Sequence, residues 1–361
     1  MFSVYDEYNK LITKRKTYFA GGNTADGFVG KYGEIADENR LERVYIIKGS
    51  AGCGKSTFMR DTAQRAEEEG FAVEYYLCGS DPDSLDCIVI DGRIAILDGT
   101  PPHPHEMKYP GAKSEIVDFS RFLDKDKAAL NADDIVTHTA LKSAAYASAY
   151  RYIRAAEAIE EERKKLAATA YDNEKARRWA LKFAGKLRLK ESSDYRERTR
   201  LSHGVTMRGL YATDSDISLA ETVIGVKDYY SAAPLFMETV RRVLCEKMIS
   251  HTVSLMPIGS DITAVEIDGS GIVFAVTDEK NVQTTLNTAR FTQKSETEKI
   301  RPSLRLAGKV ERECIRDAVL HLSEAAEHHF ALEKIYGDAM DFDSLAQYRR
   351  GITDEIIKRL K

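Results

Sequence analysis

The sequence predicts an α/β fold, a mostly parallel β-sheet flanked by helices and built twice over, and three observations predict it. A β-branched and aromatic run from Val44 to Ile47 meets a glycine-rich loop and then a helical pattern that closes at Gly70. Short strand and turn words recur in the same order about 177–180 residues further on. Two stretches rich in Ala, Glu, Lys and Arg, Ala144 to Lys190 and Lys309 to Lys361, read as long helices.

With 361 residues, 43% hydrophobic and 30% charged, 8 prolines and 23 glycines, the chain is long enough for two or three domains and excludes a collagen-like, low-complexity or wholly disordered polypeptide. No apolar run approaches the roughly 18–20 residues that span a bilayer, and the amino terminus MFSVYDEYNKLITKRK has no apolar core, so neither secretion nor membrane insertion is expected. Five cysteines without a C-x-x-C pair indicate neither a disulfide framework nor a zinc site, and a cytoplasmic location is expected. A formal charge of −4 gives the whole chain no pull toward nucleic acid or an anionic membrane.

Taken in order, the first informative element is the turn-rich segment Gly21-Gly22-Asn23-Thr24-Ala25-Asp26-Gly27-Phe28, either a ribose- or base-contacting loop or an ordinary connector. Next comes VYIIKGSAGCGKSTFMRDTAQRAEEEG, which reads strand, loop, helix. The loop Gly49-Ser50-Ala51-Gly52-Cys53-Gly54-Lys55-Ser56 fits G-x-x-x-x-G-K-[ST] at every fixed position. Its glycines let consecutive backbone N–H groups converge on phosphate oxygens while the following helix presents its positive end. Lys55 is then expected at the β- and γ-phosphates of ATP, Ser56 on Mg²⁺, and Thr57 near the α-phosphate. Cys53 sits where a helix N-terminus and Lys55 would depress a thiol pKa and favour oxidation; the simpler reading is a tolerated small side chain.

Such a loop needs a second acid for its metal, and Arg93-Ile94-Ala95-Ile96-Leu97-Asp98 offers Asp98 at the end of an apolar strand. Asp98 can also be read as the opener of an Asp-Gly turn, and Asp91 competes from a hairpin-like turn. The next position, where many ATPases carry a catalytic Glu, is Gly99, so no general base stands out among Asp81, Asp83, His103 and His105. His103, His105 and Glu106 could form a metal cluster, but the Pro-rich setting TPPHPHE favours a substrate or lid segment.

The repeat aligns Cys78-Gly79-Ser80-Asp81 with Ile258-Gly259-Ser260-Asp261, Ile90-Asp91-Gly92 with Ile267-Asp268-Gly269, and Asp98 with Asp278. In that register Lys227 to Pro234 stands against the glycine-rich loop without its glycines or Gly-Lys-Ser ending, so the second copy is expected to be degenerate. The expected organisation is a P-loop NTPase core over 1–112, a helical insertion or lid over 113–204, and a degenerate P-loop-like domain with a helical tail over 205–361. In the lid, Arg177, Arg178, Lys182, Lys186, Arg188 and Lys190, with Trp179 and Phe183 interleaved, read as a solvated basic face or, less favoured, a nucleic-acid surface.

The segments YFAGGNTADGF, IIKGSAGCGKST, CGSDPDSLD and IAILDGTPPH together resemble a little-characterised family of bacterial tandem P-loop proteins, usually labelled ATPase or nucleotide kinase. The resemblance implies ATP binding, ATP hydrolysis and two P-loop halves, and supplies no acceptor. The second half of such proteins often keeps a phosphate loop, and this chain departs from the pattern there. Three functions are expected from the residues: an ATPase whose hydrolysis drives a conformational change between the halves, a small-molecule or nucleotide kinase, and a non-hydrolysing nucleotide-gated regulator. A second substrate or protein partner is expected but unidentified.

Overall fold

A computed structural model describes residues 15–101, 105–187, 195–278 and 282–361. Among them the chain forms two compact units. The first comprises Arg15–Tyr150, Val205–Tyr211 and Ala318–Lys361, and the second Arg151–Gly204 and Ala212–Asp317.

The strands and helices come in two runs. The first is β1 (Lys16–Phe19), β2 (Gly21–Thr24), β3 (Gly27–Gly30), α1 (Tyr32–Ile35), β4 (Arg43–Lys48), α2 (Lys55–Glu68), β5 (Val73–Leu77), β6 (Leu85–Ile90), β7 (Ile94–Asp98), β8 (Ser114–Asp118), a 3₁₀ turn at Phe119–Phe122, α3 (Lys125–Leu130), α4 (Ala132–Ala170) and α5 (Asn173–Ala184). The second is β9 (Glu197–Leu201), β10 (His203–Thr206), β11 (Gly209–Ala212), α6 (Ser215–Ser218), β12 (Thr222–Lys227), α7 (Ala232–Glu246), β13 (His251–Leu255), β14 (Ile262–Ile267), β15 (Ile272–Val276), β16 (Thr284–Asn287), a 3₁₀ turn at Thr288–Phe291, α8 (Lys294–Asp338) and α9 (Phe342–Leu360). None of these helices is long and apolar enough to cross a membrane.

Within the first unit the strand order is β1-β5-β6-β7-β4-β8, with β6 antiparallel to both its neighbours and the other pairings parallel. Within the second it is β9-β13-β14-β15-β12-β16, with β14 the antiparallel member. The two runs thus share one succession and one order. Central strands such as Leu85–Ile90 and Ile94–Asp98 are buried along their whole length, which is why they read as continuous apolar runs rather than alternating ones. The β6–β7 turn places Asp91 and Gly92 at φ 53° and 64°, the paired positive values of a tight hairpin turn.

The helices divide differently from the strands. Helix α4 belongs to the first unit up to Tyr150 and to the second from Arg151, and α8 belongs to the second up to Asp317 and to the first from Ala318. Each sheet is therefore covered by the helical tail that follows the other run of strands. In the first unit α9 packs on α2, through Arg349 to Asp61 at 2.7 Å and Thr62 to Thr353 at 2.8 Å, and Asp341 N–H donates to the Phe122 carbonyl. In the second, Asp172 N–H donates to the Phe291 carbonyl and Trp179 of α5 packs edge-on against Phe236, Phe274 and Phe291. The segment 113–204 is accordingly shared, 113–150 in one unit and 151–204 in the other.

Candidate functional site

The loop after β4 wraps the start of α2. Gly54 caps that helix at φ 85° and Gly52 lies at φ 68°, a left-handed backbone that side chains rarely adopt. A Cβ at Gly52 would also meet the Glu333 carbonyl at 2.4 Å. The Lys55 ammonium lies across the loop, donating to the Ser50 carbonyl at 2.8 Å and the Gly49 carbonyl at 3.3 Å. Ser50 Oγ is buried with no hydrogen-bond partner among the described residues. Ala51 lines the cavity beside them and Thr57 is exposed.

Asp98 ends β7, paired in parallel register with Ile47 of β4, so it stands beside the loop. Its Oδ2 is 3.5 Å from Lys55 Nζ, while Oδ1 accepts from the Thr100 N–H at 2.8 Å and hydroxyl at 2.6 Å. The Ser56 hydroxyl accepts from the Leu85 N–H at 2.9 Å and keeps a second lone pair. Gly99 has a steric reason: a Cβ there would lie 2.3 Å from Ile46 Cγ2, so no glutamate fits after Asp98.

Burial pushes the Cys53 thiol up, outweighing the opposing pull of Lys55. That direction speaks against the alternative of an acidified, readily oxidised thiol at this helix start. Cys53 is fully buried, and desolvation costs a thiolate more than one nearby cation returns.

A cavity of about 580 Å³ is lined by Gly49, Lys55 and Asp98 together with Phe28, Cys78, Ser80, Tyr146, Tyr150, Met207 and Phe330. The β2–β3 hairpin brings Phe28, and its buried Asn23 donates to the Gly79 carbonyl at 3.1 Å and the Val205 carbonyl at 2.9 Å while accepting from the Tyr150 hydroxyl at 3.2 Å. Asp81 also lines the cavity, its carboxylate accepting from the Asp83 N–H and the Ser84 hydroxyl. Asp83 is paired with Arg208. His105 is not among the lining residues and lies 3.8 Å from Glu38, whose carboxylate is held by Lys108, Tyr109 and Ser114. His103, Arg188 and Lys190 fall outside the described residues.

Sequence reasoning missed the helical wall. Lys142 of α4 lines the same cavity as Lys55, with no hydrogen bond or ion pair recorded for it among the described residues. Burial first, and then the neighbouring Lys55 charge, hold its ammonium below the usual lysine range. From α8, His329 lines the cavity and lies 3.5 Å from Glu333, whose carboxylate also feels the Lys55 charge. The His329 contact is the first cause that keeps Glu333 below the ordinary glutamate range. The signal available was helical spacing: Thr139, Lys142, Tyr146 and Tyr150, and again Ala326, His329 and Phe330, fall at steps of one or three to four residues, on one helix face.

In the second unit the corresponding loop follows β12. Here Tyr230 and Ser231 take φ 52° and 62°, and Asp228 accepts the N–H groups of Ser231 at 3.1 Å and Ala233 at 2.8 Å. Arg163 of α4 reaches the Ser231 hydroxyl at 2.9 Å and pairs with Glu160 and Glu311 in a cavity of about 200 Å³. Trp179 and Phe183 stack on each other within this unit's core, and Arg177 pairs with Glu246. These aromatics are occupied in packing and provide no open stacking platform.

No protein-family model, no curated protein and no solved structure matches the chain.

Proposed function

We propose that the chain is a Mg-ATP-binding P-loop NTPase, an ATPase that couples hydrolysis to a conformational change between two duplicated P-loop-like halves, of which the second is degenerate. The observation that carries the reading is the convergence of Gly49, Lys55 and Asp98 on one cavity at the start of α2, beside a buried Ser50 hydroxyl that has no partner among the described residues. A buried hydroxyl without a partner and a glycine-only backbone suit a ligand rich in acceptor oxygens. Gly49, Ser50, Ala51, Gly52, Cys53, Gly54, Lys55, Ser56 and Thr57 would hold the phosphates, and Ser56 with Asp98 would hold Mg²⁺. Bound Mg²⁺ supplies charge neutralisation across the β- and γ-phosphates.

Two lysines facing one cavity repel each other until an anion lies between them. Lys142 is thus assigned to the terminal phosphate, as a cation supplied by the same chain. Glu333, whose carboxylate feels the Lys55 charge, would compete with phosphate for that cation. The kinase reading draws support from the rest of the cavity lining, where Phe28, Tyr146 and Phe330 with Ser80 and Ser143 offer apolar and hydroxyl surface for an acceptor. Incubation of the protein with Mg-ATP, with separation of nucleotides, tests the proposal beside Lys55→Ala. Steady ADP and phosphate release that the substitution abolishes supports an ATPase; phosphate transferred to an added acceptor supports the kinase; no nucleotide bound and none turned over refutes both.

A further inference from the structure

Away from either loop, the second unit brings three metal-type donors together. Helix α7 ends at Glu246, and the turn Lys247–Ser250, with Met248 at φ 51°, doubles back into β13 at His251. That turn sets Cys245 near the first residue of β13. On the parallel neighbour β9, Glu197 is the register partner of His251. One donor atom from each of Glu197, Cys245 and His251 lies within 4.8 Å of the others.

Three further facts separate this cluster from a chance grouping. His251 is 0% exposed and its Nε2 has no hydrogen-bond partner among the described residues, an uncommon state for a buried imidazole. Its Nδ1 is 2.8 Å from the Ile249 carbonyl, which can only accept, so the proton sits on Nδ1 and the lone pair on Nε2, the tautomer of a metal-bound histidine. Cys245 Sγ is 3.4 Å from Glu197 Oε2, within the roughly 3.3–3.8 Å separating sulfur and oxygen donors around a tetrahedral ion with bonds of about 2.0–2.3 Å.

We infer that Glu197, Cys245 and His251 form a binding site for a zinc-class divalent transition-metal ion. The sulfur, nitrogen and oxygen donor set suits Zn²⁺ or Co²⁺ and disfavours Mg²⁺ or Ca²⁺. Arg241 Nε, 3.1 Å from Glu197 Oε1, holds the carboxylate by that oxygen and leaves Oε2, the oxygen beside the thiol, for the ion. Tyr195, whose hydroxyl is 3.5 Å from Glu197 Oε2, or a water completes four-coordination. Binding exchanges the Cys245 thiol proton, released to solvent, for a metal–sulfur bond and ties β9 to the end of α7. The donors come from a strand, a helix end and a second strand, so no C-x-x-C spacing announces them.

The test uses the full chain, stripped with a chelator and free of nucleotide. Co²⁺ is titrated in and its thiolate charge-transfer and tetrahedral d–d absorption recorded, and alkylation of each cysteine is mapped by mass spectrometry with and without Zn²⁺. The expected result is one Co²⁺ per chain with a thiolate band, and Cys245 protected by Zn²⁺ but not by Mg²⁺. Cys245→Ser should abolish the band, Glu197→Gln, at a partly exposed position, should weaken binding by at least tenfold, and Cys314→Ser should change neither. Alkylation of wild-type Cys245 at one rate with and without Zn²⁺ overturns the inference, as does a Co²⁺ band that persists undiminished in Cys245→Ser. Neither readout involves ATP.

Discussion

The loops after β4 and β12 stand at the same place in the same order of strands, yet they satisfy their backbone in opposite ways. After β12 an aspartate of the loop itself, Asp228, accepts two of the N–H groups that open α7. After β4 no residue of the loop does so; glycines replace the carboxylate-bearing turn, Ser50 Oγ is left without a partner, and Lys55 and Lys142 face the space in front. A helix start must find acceptors somewhere. One unit supplies them from within, and in the proposed reading the other presents its donors to a ligand. The helical walls differ in the same sense: Arg163 opposite the second loop is paired with Glu160 and Glu311, whereas Lys142 opposite the first has no ion-pair partner among the described residues.

Four substitutions would break or sharpen this contrast. The largest effect is expected from Lys55→Ala, which should lower ATP turnover by about 100-fold or more, as loss of a cation at a developing phosphate charge does; steady-state phosphate release measures it. Lys142→Ala should cost about 10–100-fold in turnover with ADP affinity little changed, and Lys142→Arg should restore part of it. Equal loss of ADP and ATP binding would instead make Lys142 a general anion attractor. Glu333→Ala removes a negative charge that Lys55 feels and should tighten ATP binding by about threefold to tenfold in titration calorimetry. A variant that binds ATP unchanged but no longer hydrolyses it would move Glu333 into the handling of water. The smallest effect belongs to the second loop, where Asp228→Ala should lower stability by about 1–2 kcal/mol, the usual cost of a lost helix cap, seen as a drop of a few degrees in Tm. It should not create a second nucleotide site, because the glycines and lysine are still missing.

The strand-loop-helix unit and the position of Asp98 were legible because both depend on local pattern: apolar runs, positive-φ glycines and a strand that ends on an acid. The shared order of strands was foreshadowed by turn words such as Asp91-Gly92 and Asp268-Gly269, which mark the same hairpin in each unit. The exchange of helical tails was not legible. Nothing in the composition of α4 or α8 says which sheet a helix covers; that is decided by contacts such as Trp179 on Phe274 and Tyr348 on Phe119. The same holds for Lys142 and Glu333, which reach the first loop from 87 and 278 residues beyond Lys55. Trp179 and Phe183, noted in the sequence as interleaved with basic residues, are partly buried against the core beside α7 and β15, while Arg178 and Lys182 of the same helix remain exposed.

The most direct test of the account counts nucleotide per chain. Equilibrium binding of Mg-ATP to the full-length protein should saturate at one molecule per chain and vanish in Lys55→Ala. Saturation at two would contradict the degenerate second loop, and no binding, or binding that Lys55→Ala leaves intact, would contradict the assignment of the first.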